Sequence, residues 1–202
     1  MLRYVRDELG KEILVNPVGQ QVMMEWEKPY MEHCINVLFP YGDVLEIGFG
    51  LGYSANQIQK FAIKSHTIIE CDPEVLKRAR EWANFQPNPV NIIQGTWQNT
   101  LPILGSFDCI FFDDFPFTET HYECYNSFKT FFDRIRKFHI KQVSKLVWYS
   151  EEPVDTDIQN WFGRYNTEFD FHEFDIEKPA NLRTYALNGK NKMYVPELII
   201  YK

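Results

Sequence analysis

One stretch constrains this chain more than any other: Asp43-Val44-Leu45-Glu46-Ile47-Gly48-Phe49-Gly50-Leu51-Gly52-Tyr53-Ser54. An apolar, β-branched run breaks into three glycines spaced two apart and passes into Ser54–Phe61, which continues as a helix. This reads as strand, tight turn and helix start. Glycine suits the turn because it reaches positive φ cheaply and leaves bare backbone beside a helix N-terminus for a ligand to lie against. The spacing Gly-x-Gly-x-Gly differs from the Gly-x-Gly-x-x-Gly of a dinucleotide pyrophosphate site. About 20 residues further on, His66-Thr67-Ile68-Ile69-Glu70-Cys71-Asp72 ends a second apolar run in Glu70, placed to hold ribose hydroxyls. A nucleoside-type ligand is the expected guest.

From this turn onward strand and helix patterns alternate. The sequence predicts strands at Val44–Gly48, Thr67–Cys71, Val90–Gln94, Phe107–Phe112 and Val143–Tyr149, and helices at Ser54–Phe61, Pro73–Phe85, Thr120–Phe138 and Thr156–Phe162. Such alternation implies an α/β fold with a doubly wound, mostly parallel sheet and ligands at the carboxyl ends of its strands. Two further strands, Thr167–Phe174 and Met193–Tyr201, follow without a helix between them and are expected to finish the sheet as an antiparallel C-terminal pair, with Asn188-Gly189-Lys190-Asn191 as the turn. Ahead of the glycine turn, Val22, Trp26, Tyr30, Cys34 and Val37 recur at intervals of three and four. They predict a helix over Val18–Phe39, started or kinked at Pro29, that covers the site as a lid. The expected organisation is a single domain over 1–202, with 1–41 as the N-terminal helical segment and 42–202 as the core.

Composition narrows the partners. A formal net charge of -7 gives no general attraction to nucleic acid or to an anionic membrane, and favours a cationic small substrate or a basic protein. No apolar run reaches membrane-spanning length. The four cysteines, Cys34, Cys71, Cys109 and Cys124, are scattered without Cys-x-x-Cys spacing; neither a disulfide framework nor a metal site is expected, and the thiols suit a cytoplasmic protein. The start, Met1-Leu2-Arg3-Tyr4-Val5-Arg6-Asp7-Glu8, does not read as a signal peptide.

The glycine turn and its acid resemble the first two motifs of class I S-adenosylmethionine-dependent methyltransferases, a Rossmann-like group. Further stretches sharpen the likeness. "VMMEWEKPYM" ahead of "VLEIGFGLGYSA", then "HTIIECDPE", "GTWQ" and "FDCIFFDDFPF", are similar in order to guanidinoacetate N-methyltransferase and the related protein arginine N-methyltransferases acting on the δ-nitrogen. The likeness runs over roughly residues 18 to 120. It implies S-adenosylmethionine as cofactor, held by Glu46, Gly48, Phe49, Gly50, Leu51, Gly52 and Tyr53, by Glu70, Cys71 and Asp72 around the ribose, by Thr96 and Trp97 around adenine, and reached by Asp113. It implies Glu27 as the residue that grips a guanidinium and Asp113 as the one that binds and deprotonates it. Met23 and Tyr30 match pocket positions, Asp114 stands beside the base, and the far end of the acceptor is expected near Val147, Trp148 and Tyr149.

The chemistry of such an acceptor agrees with this residue set. A guanidinium has no free lone pair on nitrogen and a pKa above about 12, so it attacks a methyl group only as a proton leaves. One carboxylate can pair with the planar fork while the other takes the proton. The neighbourhood after the fifth strand is acidic, with Glu151, Glu152, Asp155 and Asp157, which suits a longer or basic acceptor such as arginine in a peptide, or equally the solvated start of a helix. The competing readings are aminopropyl transfer to a polyamine, N-methylation of another amine, and a cofactor-binding module without turnover.

Overall fold

A computed structural model of the chain describes residues 1–114, 121–177 and 191–202. Its centre is a seven-stranded sheet. The strands are β4 (Gly42–Ile47), β5 (Ile63–Glu70), β6 (Val90–Gln94), β7 (Phe107–Phe112), β8 (Ile140–Trp148), β9 (Thr167–Asp175) and β10 (Lys192–Tyr201). Their spatial order is β6-β5-β4-β7-β8-β10-β9. The first five are parallel, and β10 runs antiparallel to both β8 and β9. The sheet is Rossmann-like, mostly parallel, and closed by an antiparallel C-terminal pair, as expected. The order reverses at β4, so the crevice for a ligand lies where β4 and β7 diverge at their carboxyl ends.

Helices cover both faces. On one lie α1 (Lys28–Leu38), α2 (Tyr53–Ile58) and α3 (Pro73–Ala83); on the other lie α4 (Trp97–Thr100), α5 (His121–Phe138) and α6 (Thr156–Phe162). The start of α3 follows from its sequence. Asp72 accepts from the Glu74 and Val75 amides as N-cap, Pro73 takes the first turn, and Val75, Leu76 and Ala79 bury one stripe. Alternation along each strand sorts side chains to the two faces. Val44, Ile68, Cys109, Phe111 and Val147 belong to the core beneath α1–α3, and Leu45, Ile47, Ile69, Ile110, Phe112 and Leu146 to the core beneath α4–α6.

The N-terminal segment differs from the helical reading. Residues 18–27 are not helix. A three-stranded antiparallel sheet of β1 (Arg3–Arg6), β2 (Glu12–Val15) and β3 (Gln21–Met24) precedes a 3-10 turn at Glu25–Glu27, and α1 begins only at Lys28, with Pro29 in its first turn. Proline without an N–H is free at a helix start but not within one, and this decides where the helix can begin. Nor is α1 itself a lid: Tyr30, Met31, Cys34, Ile35 and Leu38 are fully buried in the core, and the covering piece over the glycine turn is the small sheet. Phe115, Pro116 and Phe117, which end the FDCIFFDDFPF stretch, and the turn at Asn188-Gly189-Lys190 lie outside the described residues.

Candidate active site

The turn after β4 is built by close backbone approach. Gly48 has φ +84, and a Cβ there would sit 2.5 Å from the Asp113 carbonyl oxygen, so this position admits only glycine. Gly50 has φ +53 and would meet the Met23 sulfur at 2.8 Å. Met23, expected in the acceptor pocket, is buried against this turn, and its Sδ accepts the Leu51 N–H at 3.2 Å. Tyr4 donates from its hydroxyl to the Gly50 carbonyl at 2.8 Å, and the Arg78 guanidinium covers its ring at 4.4 Å. Leu2 N–H reaches Asp72 Oδ2 at 2.7 Å, so the small N-terminal sheet is pinned over the turn and the end of β5. Sequence reasoning missed Leu2 and Tyr4, since strands of four residues carry too little alternation to stand out.

Four amides of the turn are already used inside the protein. Gly48 N–H donates to Ile69 O, Phe49 N–H to Glu70 Oε2 at 3.0 Å, Leu51 N–H to Met23, and Gly52 N–H to Phe49 O. A pyrophosphate site needs such amides free. Here they are spent, and the nearby charges are carboxylates, which suits a cationic sulfonium and neutral ribose. Glu70 is 8% exposed and accepts from the Phe49, Cys71 and Asp72 amides. A carboxylate has about four acceptor positions, so one remains on Oε2 for a ribose hydroxyl. Burial holds the Glu70 carboxyl above its usual range. Both oxygens of Asp72 are taken by the α3 cap and Leu2, which makes it a bracing residue; the neighbouring Cys71 is exposed. Tyr53 opens α2 directly after the turn and packs half-buried on the core.

Glu46 does not face the turn's open side. Its carboxylate is fully buried between Ser54 Oγ–H and His66 Nε2, the latter at 2.8 Å. The ends of β6 and β7 meet through Trp97, whose buried indole N–H donates to Asp114 Oδ2 at 2.7 Å. Thr96, exposed, opens α4 beside it.

Strand parity separates the two aspartates. Phe111 lies on the α1–α3 face and Phe112 on the other, so Asp113 continues the first row and Asp114 the second. Asp114 therefore turns to Trp97, while Asp113 turns toward α1 and the residues before it. Desolvation, then the charges of Glu46, Asp114 and Glu70, pushes the Asp113 carboxyl up to about 7. Glu27 stands across from it, 1% exposed, with Oε1 accepting the Met24 N–H at 2.7 Å. Burial above all, and then the charges of Asp113 and Glu151, raises Glu27 well above the ordinary carboxylate range.

Tyr30 fixes this geometry. Between β8 and β10 the ladder is interrupted near Pro196, and the Tyr30 hydroxyl fills the gap: it accepts the Ser150 N–H at 2.9 Å and donates to Tyr194 O at 2.6 Å. Tyr30 thus ties α1, one turn after Glu27, to the end of β8. Its ring meets Tyr149 edge-on at 5.4 Å, and Tyr149 in turn donates to Glu151 Oε1 at 3.2 Å. Val147 and Trp148 are buried on opposite faces of the sheet, Trp148 against Phe128 and Phe162, so it is Tyr149 and Glu151 that β8 delivers to this side. The acidic run divides: Glu151 joins the site, whereas Asp155 caps α6 through the Ile158 amide and Asp157 sits in that helix's first turn.

The family model for guanidinoacetate N-methyltransferase matches residues 7–151, most of the chain, including Glu27, Tyr30, the glycine turn, Glu70, Asp113 and Glu151. The chain belongs to that family. S-adenosylmethionine is the cofactor, and the glycine turn with Glu70 fits it. Among curated relatives, protein arginine N-methyltransferase 2 of Candida glabrata is 38% identical over 132 residues, covering 60% of this chain and 30% of the relative. The Aspergillus oryzae protein of the same name is 30% identical over 164 residues, covering 77% and 38%. The chain thus spans about a third of the length of the curated relatives it matches. Solved structures share the fold: a methyltransferase from Pyrococcus furiosus has a TM-score of 0.62 at 18% identity, over 96% of this chain and 90% of that one. An O-methyltransferase from Bacillus cereus in complex with SAH gives 0.59 at 13% identity, over 93% and 82%. Spermidine synthase from Thermotoga maritima gives 0.64 at 16% identity, over 99% and 72%.

Proposed function

We propose that the chain methylates a guanidino nitrogen, with arginine in a peptide or protein as the acceptor class. The observation that carries this reading is the pairing of two protonatable, desolvated carboxyl groups, Glu27 and Asp113, on one face of the sheet beside the glycine turn. Two buried carboxyls held above their usual range require a cation to ionise together, and a planar guanidinium supplies one with donors for both. When bound, S-adenosylmethionine supplies an electrophilic methyl on a sulfonium. Glu27, locked by the Met24 amide, holds the acceptor's fork. Asp113 accepts the proton from the attacking nitrogen as that nitrogen loses its resonance, and a carboxyl poised at about 7 is well matched to this task near neutral pH. Fixing both partners in a dry crevice contributes through proximity, worth up to about 7–11 kcal/mol in the best intramolecular cases.

Glu151 supports arginine over guanidinoacetate, because a carboxylate on the acceptor would meet a third acid next to Glu27. The relatives named as protein arginine N-methyltransferases point the same way. The test is mass spectrometry of products after incubation with S-adenosylmethionine and guanidinoacetate, free arginine, agmatine or arginine peptides. A methylated arginine peptide is expected. Methylation of none of them, with S-adenosylhomocysteine still bound, would remove the guanidino reading, and aminopropyl transfer from decarboxylated S-adenosylmethionine to putrescine would then be assayed.

A further inference from the structure

Beneath the glycine turn lies a buried polar chain that the methyl-transfer reading has not used. Asn88 N–H donates to Gln59 Oε1 at 3.1 Å, which fixes the orientation of the Gln59 amide. The Gln59 Nε2 group therefore faces His66 Nδ1 at 3.2 Å as a donor, and Nδ1 is the acceptor. The ring Nε2–H then donates to Glu46 Oε2 at 2.8 Å. Ser54 Oγ–H occupies the other Glu46 oxygen. His66 and Glu46 are both 0% exposed, with the Trp82 ring edge-on to His66 at 6.2 Å.

Among the described residues Glu46 takes hydrogen bonds from Ser54 and His66 and has no Lys or Arg partner. Its position is set by register. Glu46 pairs with Phe111 across β4 and β7, and Asp113 is two residues beyond Phe111 on the same face. With parallel strands about 4.8 Å apart and a rise of about 3.3 Å per residue, such diagonal neighbours lie about 8 Å apart. We propose that Gln59, His66 and Ser54 act as positioning residues that hold Glu46 charged, and that Glu46 in turn sets the pH range in which Asp113 serves as proton acceptor. This deepens the proposed function and rests on Asp113 being the base. The other groups facing Asp113 are Glu27, Tyr30 and Cys34 from the α1 side, Glu70 from β5 and Asp114 beside it. Glu46 is the first-ranking charge among those acting on Asp113.

The experiment is the pH dependence of kcat/KM on the best arginine peptide, with S-adenosylhomocysteine affinity measured in parallel. In Glu46→Gln the acid limb is expected to move to lower pH by about one to two units, the size of a single charge at this separation in an effective dielectric near 20. His66→Leu, which strips a donor from Glu46 and drives it to take up a proton, should move the limb the same way, and His66→Gln, which keeps a donor, should restore it. A purely structural role would lower activity at all pH values without moving the limb. An unmoved limb in a folded Glu46→Gln or His66→Leu, with Asp113→Asn inactive, overturns the relay and leaves the base assignment standing. Turnover retained in Asp113→Asn removes the base, and the tuning role with it. Ser54→Ala, a milder loss of one donor, gives the same reading if Glu46→Gln does not fold: a downward shift supports the relay and an unmoved limb overturns it.

Discussion

Acceptor binding should release protons. In the unliganded site Asp113 titrates at about 7, so at pH 7 it carries about half a proton, and burial likewise raises Glu27 well above its ordinary range. A guanidinium within hydrogen-bonding distance lowers a carboxyl by about 1–3 units. Binding therefore expels about half a proton from Asp113 at pH 7, any proton displaced from Glu27 adding to it, and the Asp113 share falls toward zero about two units higher, where that carboxyl is already ionised. Calorimetric titration of an arginine peptide into the complex with S-adenosylhomocysteine, repeated in phosphate and in Tris, reads the number directly from the difference in apparent enthalpy. Asp113→Asn should remove about half a proton of the release at pH 7. Equal enthalpies in the two buffers, or proton uptake, would refute the reasoning, because the carboxyls would then be ionised before the cation arrives.

Three further outcomes follow from the geometry. Gly48→Ala places a Cβ 2.5 Å from the Asp113 carbonyl at a backbone angle that alanine resists; S-adenosylhomocysteine binding should be lost, with destabilisation of at least about 1–3 kcal/mol by denaturant unfolding. Tyr30→Phe orphans the Ser150 N–H and the Tyr194 carbonyl, costing about 1–3 kcal/mol, and should raise KM for the acceptor more than for the cofactor because it frees the helix start that carries Glu27. Asp113→Asn should stabilise the unliganded protein at pH 8. Folding favours the protonated form of Asp113, so its stabilising contribution is full below the ordinary carboxylate range and lost as pH rises through about 7. A rise from 3.8 to about 7 bounds the gain in the asparagine variant at about 4 kcal/mol, shrinking as pH falls, and thermal unfolding of both proteins at pH 5 and pH 8 checks it.

The core strands were legible because each is a short apolar run bounded by turn residues, whereas their spatial order, and with it the switch point at β4, came only from the structure. The N-terminal strands were not. Val22, Trp26, Tyr30, Cys34 and Val37 keep helical spacing through residues of which only the last eleven-residue stretch, Lys28–Leu38, is helix. Pro29 was the decisive signal, and it reads more strongly as a helix start than as a kink. Glu70 and Asp113 stand out in sequence as acids at strand ends, whereas Glu27 is singled out only by the family resemblance that its stretch carries. Tyr30 could not be given its actual task, since its hydroxyl serves backbone groups 120 and 164 residues away. His66 lay in plain view one turn of argument from Glu70, yet a histidine inside an apolar run shows its partner only once β4 and β5 are in register.

The least legible feature is the one on which the site most depends. In an exposed strand, alternating polarity announces which side chain faces which way; β7, buried on both faces, reads Phe107-Asp108-Cys109-Ile110-Phe111-Phe112 and gives no such cue for the two aspartates that follow. Only the packed sheet shows that Asp113 and Asp114 part company there. Asp114, which looks in sequence like a second negative charge at the base, is drawn to the opposite face by the Trp97 N–H, where it ties the start of α4 to the end of β7. Asp113 is left on the row that already holds Glu46 and Glu70, facing Glu27. Four carboxyls on one face, with their neutral donors supplied by backbone, serine and histidine, form a field that only a cation satisfies. The sulfonium of S-adenosylmethionine meets that demand at the glycine turn, and the guanidinium of the proposed acceptor would meet it at Glu27. Methyl transfer removes the sulfonium charge, so the acidic face holds the charged cofactor more tightly than its neutral product and favours release of S-adenosylhomocysteine.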